Sequence, residues 1–155
     1  MTVSPSNLPG FFQGTGMPDL EWWNVLWPDP AKVLHDTGFR PGDRTVDLCS
    51  GDGWFTVPMA RLARTVVAID IDRVLLARAR KRLARNSLSN VILAEVDAFE
   101  LSSVVTSPID YLLLANAFHG VPDKPRLAKA VYAVLEPGGR VAVVHWQKRP
   151  RATTT

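Results

Sequence analysis

Apolar residues along this chain fall into two alternating spacings. Short, nearly unbroken apolar runs occur at Arg44–Leu48, Thr65–Asp70, Val91–Glu95, Ile109–Leu114 and Arg140–Trp146. Runs of that length suit strands covered on both faces, as in a parallel sheet. Between them the apolar positions recur at helical spacing. Trp54–Leu62, Arg73–Asn86 and Asp123–Leu135 are predicted as helices, and Leu75, Leu76, Ala79 and Leu83 share the inner side of the second. Asp97–Ser107 is predicted as a loop with a short helix.

Ahead of the first strand, residues 18–27 suit a short helix that Pro28 stops. Asp29 then caps a second helix that opens with Pro30, runs to about Thr37 and ends at Gly38. Strands alternating with helices predict an α/β fold, a Rossmann-like parallel sheet of five strands with helices on both faces. Right-handed crossovers, with a switch between strands one and four, give the order 3-2-1-4-5. Ligands then bind outside the carboxyl ends of the strands.

Length divides the chain simply. Its 155 residues suit one domain, residues 18–146, with a helical lid at 18–38. Residues 1–17, rich in Pro, Gly, Ser and Thr, are expected to be a flexible arm, and 147–155 a tail. No run of 18 apolar residues predicts a membrane span. No secretory leader is recognisable, and with one cysteine, Cys49, a cytoplasmic protein is expected.

The formal charge is only +3, so a nucleic-acid partner is not demanded. Arg73, Arg78, Arg80, Lys81, Arg82 and Arg85 cluster on one helix without interleaved aromatics, which favours a solvated face over an RNA surface. Three scattered histidines and one cysteine make no metal-ligand spacing.

Five motifs carry candidate chemistry. Strand one ends in Val46-Asp47-Leu48-Cys49-Ser50-Gly51-Asp52-Gly53, a glycine-bearing bend that leads into a helix. Asp70 closes strand two, where an acid can accept from vicinal ribose hydroxyls; the alternative, a helix cap, is better served by Asp72. Asp97-Ala98 follows strand three and can meet an adenine edge. Asn116-Ala-Phe-His119 follows strand four. Leu135-Glu-Pro-Gly-Gly-Arg140 leads into strand five.

In this order the series resembles the class I S-adenosylmethionine-dependent methyltransferases, of the small-molecule type, over about residues 30–146. The resemblance implies S-adenosylmethionine as cofactor, S-adenosylhomocysteine as product and a small-molecule methyl acceptor. It implies that Cys49, Gly51 and Gly53 wrap the methionine part and that Asp47 holds its ammonium group. Asp70 is implied at the ribose, Ile71 on the adenine, Asp97 and Ala98 at the adenine edge, and Asn116 beside the sulfonium. Two departures stand out. Cys49 replaces the usual first glycine, and strands six and seven are expected to be missing. An exposed strand-five edge then predicts a covering element or a second copy, with a homodimer preferred.

His119 is the best candidate base, since an imidazole titrates near neutral pH, and His145 is a weaker one. Trp22, Trp23 and Trp27 are candidates for a lid, with Phe118 and Trp146 at the mouth, where aromatic faces suit a sulfonium. Ordinary helix packing explains these rings equally well. The competing readings are a non-catalytic cofactor-binding protein, an RNA methyltransferase, and a dehydrogenase-like nucleotide binder. The last lacks a third glycine, because Phe55-Thr56 follow Gly53.

Overall fold

The computed structural model describes residues 20–145. The expected arm and tail, Trp146, and the side chain of Trp22 lie outside the described residues. Two short helices come first, α1 (Leu20–Leu26) and α2 (Pro30–Asp36). The alternating unit follows: β1 (Arg44–Leu48), α3 (Thr56–Ala60), β2 (Thr65–Asp70), α4 (Arg73–Arg85), β3 (Val91–Glu95), β4 (Ile109–Ala115), α5 (Lys124–Val134) and β5 (Leu135–Val144). A 3₁₀ segment, Ala98–Ser103, replaces a helix between β3 and β4.

All five strands are parallel, in the order β3-β2-β1-β4-β5, as the alternation predicts. Side chains alternate across the sheet and feed two cores. Val46, Leu48, Leu112 and Leu114 pack with Phe99, Leu101, Leu127 and Val131 from the 3₁₀ segment and α5. On the other face Val66, Tyr111 and Leu113 pack with Leu34, Phe39, Phe55 and Met59. Leu34 seats α2 in this second core, so α2 is part of the sheet's cover.

The caps at Asp29 and Asp72 behave as the sequence suggests, and Asp123 adds a third. Asp29 accepts from the Lys32 amide, Asp72 from those of Val74 and Leu75, and Asp123 from that of Arg126. Two elements differ most from their predicted bounds. The helix after the glycine bend shrinks to Thr56–Ala60, because residues 51–55 are spent on the turn. Strand five begins at Leu135, opposite Ile109, and then bulges so that Arg140 is the residue facing Tyr111. Gly139 sits in this bulge, where a Cβ would lie 2.8 Å from the Glu136 carbonyl oxygen.

At the amino ends of the strands an ionic network holds the sheet. Arg140 forks onto both oxygens of Asp43 at 2.8 Å and also donates to the Gly38 carbonyl. Arg44 donates to Asp110 from Nε at 3.0 Å and Nη2 at 3.1 Å. Among the described residues no helix is long and apolar enough to cross a membrane.

Candidate functional site

β1 and β2 run side by side, so Asp47 and Asp70 end up at neighbouring strand tips. β3 brings Asp97 next to them. Between these carboxylates the chain turns sharply at Cys49, which has φ of 60°, followed by Gly51 at 56° and Gly53 at 86°. A left-handed residue with a side chain costs about 1–2 kcal/mol relative to glycine. Cys49 therefore occupies a position built for glycine. Gly53 is needed twice, for its φ and because a Cβ would meet the Ala79 Cβ of α4 at 3.2 Å.

The carboxylates fall into different environments. Asp47 is buried and accepts from Thr56 Oγ1 at 2.5 Å. Its pKa is pushed up to about 7, chiefly by burial and further by the charges of Asp70 and Asp52, against the Thr56 bond. Asp70 accepts from the Gly51 amide at 2.8 Å and the Asp72 amide at 2.9 Å, and so ties the bend to β2. Burial raises its pKa, and those amide bonds oppose the rise. The Cys49 thiol is pushed up as well, first by burial and then by the charges of Asp70, Asp47 and Asp97. All three acids thus act on one sulfur atom.

Asp97 splits its two oxygens. Oδ1 accepts from the Phe99 amide at 2.9 Å and starts the 3₁₀ segment, while Oδ2 is buried with no hydrogen-bond partner among the described residues. Asn116 Oδ1 and Ser50 Oγ share that condition. Asn116 itself has φ of 61°, and its amide donates to the Val144 carbonyl at 2.8 Å, joining the tips of β4 and β5. Buried polar atoms without partners carry a desolvation cost, which a polar ligand removes. Ile71 is half-buried beside Asp70 and Ala98 is buried beside Asp97.

The aromatic residues divide. Trp23 is buried, which favours packing over a mobile role for this ring. Trp27 lies 6.1 Å from Phe55, and its carbonyl accepts from Trp54 Nε1 at 3.2 Å. These contacts fasten the end of α1 onto the glycine bend. Trp54 in turn lies under the Arg82 guanidinium at 5.3 Å, and Arg82 pairs with Asp52 at 2.8 Å. Phe118 is half-buried under the Lys124 ammonium at 5.3 Å. His119 is exposed after β4, and its ring stacks on that of His145. His35 lies apart on α2, exposed and paired with Asp36.

Thr56 and Ser50 were not among the expected site residues, and for Asn116 the coordinates add the unpartnered Oδ1. Thr56 follows Gly53 by three residues, a spacing that could have marked it as a partner for Asp47. Among the described residues no group of three or more His, Cys, Asp or Glu side chains is arranged to hold a metal.

A family model described as a methyltransferase domain matches residues 45–139. The chain belongs to that family, the class I S-adenosylmethionine-dependent methyltransferases. The ubiquinone/menaquinone biosynthesis C-methyltransferase UbiE of Teredinibacter turnerae is 34% identical over 116 residues, covering 72% of this chain and 46% of that protein. The methyltransferase chain thus spans about half the length of the curated relatives it matches. Among solved structures, a SAM-dependent methyltransferase from Aquifex aeolicus aligns with TM-score 0.71 and 21% identity, over 86% of this chain and 72% of that one. A DhpI complex named with SAM and HEP aligns with TM-score 0.65 and 26% identity, over 83% and 58%.

Proposed function

We propose that this methyltransferase domain binds S-adenosylmethionine at the carboxyl ends of β1–β4 and transfers its methyl group to a small organic acceptor. The observation that carries the reading is the convergence of Asp47, Asp70 and Asp97 on the Cys49 bend, with Asp97 Oδ2 and Asn116 Oδ1 left buried and unpartnered among the described residues. Those atoms match the polar edges of a nucleoside carrying an amino acid. In this reading the free lone pairs of Asp70 accept from the ribose hydroxyls. Asp97 Oδ2 accepts from the adenine amino group, with Ala98 and Ile71 lining the base. Asp47 faces the ammonium group, and Cys49, Gly51, Gly53 and Asn116 line the methionine arm.

When bound, the cofactor supplies an electrophilic methyl group on a sulfonium. The protein's own share is orientation and exclusion of water. Trp27, fixed to Trp54 and Phe55, places α1 over the bend, whereas α2 is held in the core by Leu34. The name of the Teredinibacter relative points to carbon methylation of a quinone-type ring, and we take an aromatic acceptor of that kind as the working substrate class.

Titration calorimetry tests the pocket. S-adenosylmethionine and S-adenosylhomocysteine are expected to bind and NAD to leave no heat. Binding of NAD instead overturns the assignment in favour of a dehydrogenase-like site. Methyl transfer to a demethylated quinol then separates an enzyme from a binding protein, which would take up the cofactor and turn nothing over.

A further inference from the structure

The His119 and His145 rings lie with centroids 5.3 Å apart and planes inclined by only 24°. The two residues are 26 positions apart and are brought together by the pairing of β4 with β5. The bond from the Asn116 amide to the Val144 carbonyl locks the two strand tips, and each histidine follows within three residues. Both rings are exposed, and neither has a hydrogen-bond partner among the described residues. Imidazole nitrogens lie at the ring edge, so face-to-face stacking leaves them open to a ligand.

We infer that the stacked pair is the proton-accepting subsite for the methyl acceptor, with His119 receiving the proton and His145 positioning its ring. This rests on the methyltransferase reading above. It selects acceptors that carry an ionisable hydroxyl on a planar ring, such as phenols and enols, over their O-methylated ethers. The neighbouring Phe118, already under Lys124, offers an aromatic face for such a ring.

The step balances as follows. The acceptor O–H bond breaks and its proton goes to a His119 ring nitrogen. The electron pair so released forms the bond from oxygen, or from a conjugated ring carbon, to the methyl carbon. The carbon–sulfur bond breaks with its pair going to sulfur, whose positive charge is cancelled. Where carbon attacks, the ring ketone returns to the phenol by moving one proton from carbon to oxygen. One proton is released in either case, and the exposed His119 passes it to water. Base catalysis of this kind contributes about 10²–10⁴-fold in rate.

The pair can be tested without knowing the natural acceptor. Protein saturated with S-adenosylhomocysteine is titrated with 1-naphthol and with 1-methoxynaphthalene, while the histidine Cε1–H resonances are followed by NMR. The naphthol is expected to bind at least ten-fold tighter and to shift both ring signals. His119→Ala should remove the preference. His145→Ala should reduce it, and His145→Phe, which keeps a stacking face, should restore it. Equal affinity for the two probes, or silent histidine signals, overturns the subsite. A His145→Phe variant as poor as His145→Ala overturns the positioning role. Failure of S-adenosylhomocysteine itself to bind is a different result and counts against the cofactor pocket.

Discussion

Thr56 Oγ1 donates to Asp47 Oδ2 at 2.5 Å, from the first turn of α3 to the tip region of β1, and both residues are buried. This single bond offsets only part of the cost of burying the carboxyl, whose pKa stands at about 7 against an ordinary 3.8. In the folded protein Asp47 holds its proton through the window in which the unfolded chain has lost it.

A sign follows for pH dependence. Through Asp47 the native state binds more protons than the unfolded state between pH 4 and 7, so this residue's contribution to the stability of the cofactor-free protein falls as pH rises through that window. Asp47→Asn should flatten the slope in urea titrations run at pH 5 and pH 8. If Asp47 faces the cofactor ammonium, binding at pH 6 should release close to one proton, read from calorimetry in two buffers of different ionisation heat. The Asn variant should release none.

Asp70 fastens the Gly51 amide and, in the proposed site, the ribose. Asp70→Ala should weaken S-adenosylhomocysteine binding by about 1–3 kcal/mol, the cost of losing a buried hydrogen-bonding group. Calorimetry that gives wild-type affinity removes Asp70 from the site.

Cys49, at φ of 60°, tests the bend itself. Cys49→Gly trades strain for unfolded-state entropy and should leave stability within about 1 kcal/mol of wild type or raise it. Cys49→Val puts a β-branched residue in the left-handed region and should lower stability by more than 1 kcal/mol, roughly. Thermal unfolding of both variants checks this. With its thiol pushed up by burial and three acids, wild-type Cys49 should also react slowly with iodoacetamide at pH 7.

Away from the site, Arg44 holds the Asp110 carboxyl down at about 2, through its side-chain hydrogen bond first. A depressed acid contributes stability above its unfolded pKa and loses it as pH falls, here between about 4 and 2. The pair is about a third exposed, so screening keeps the contribution near 1 kcal/mol or less. Asp110→Asn should cost that amount at pH 7 and progressively less as pH falls from 4 through 2 in denaturant titrations.

Strand identities were legible because buried parallel strands leave continuous apolar runs, and β1, β2 and β3 match their predicted bounds. That Asp72 rather than Asp70 caps α4 was also legible, since Asp72 immediately precedes the helix and accepts from the Val74 and Leu75 amides. Strand five was misjudged at its start. The bulge at 136–139 depends on pairing with Ile109, a contact that the local sequence does not encode. α3 was overestimated because a helical pattern does not reveal how many residues a bend consumes.

The sequence alone determined the alternation and which residue types stand at the strand tips, because burial period and turn chemistry are local properties. Tertiary structure decided which of those residues meet. Pairing of β4 with β5 stacks His119 on His145, and the fold of α3 onto β1 buries Asp47 against Thr56. Burial and proximity between distant segments set the charge state of a carboxyl, and no spacing along the chain contains them.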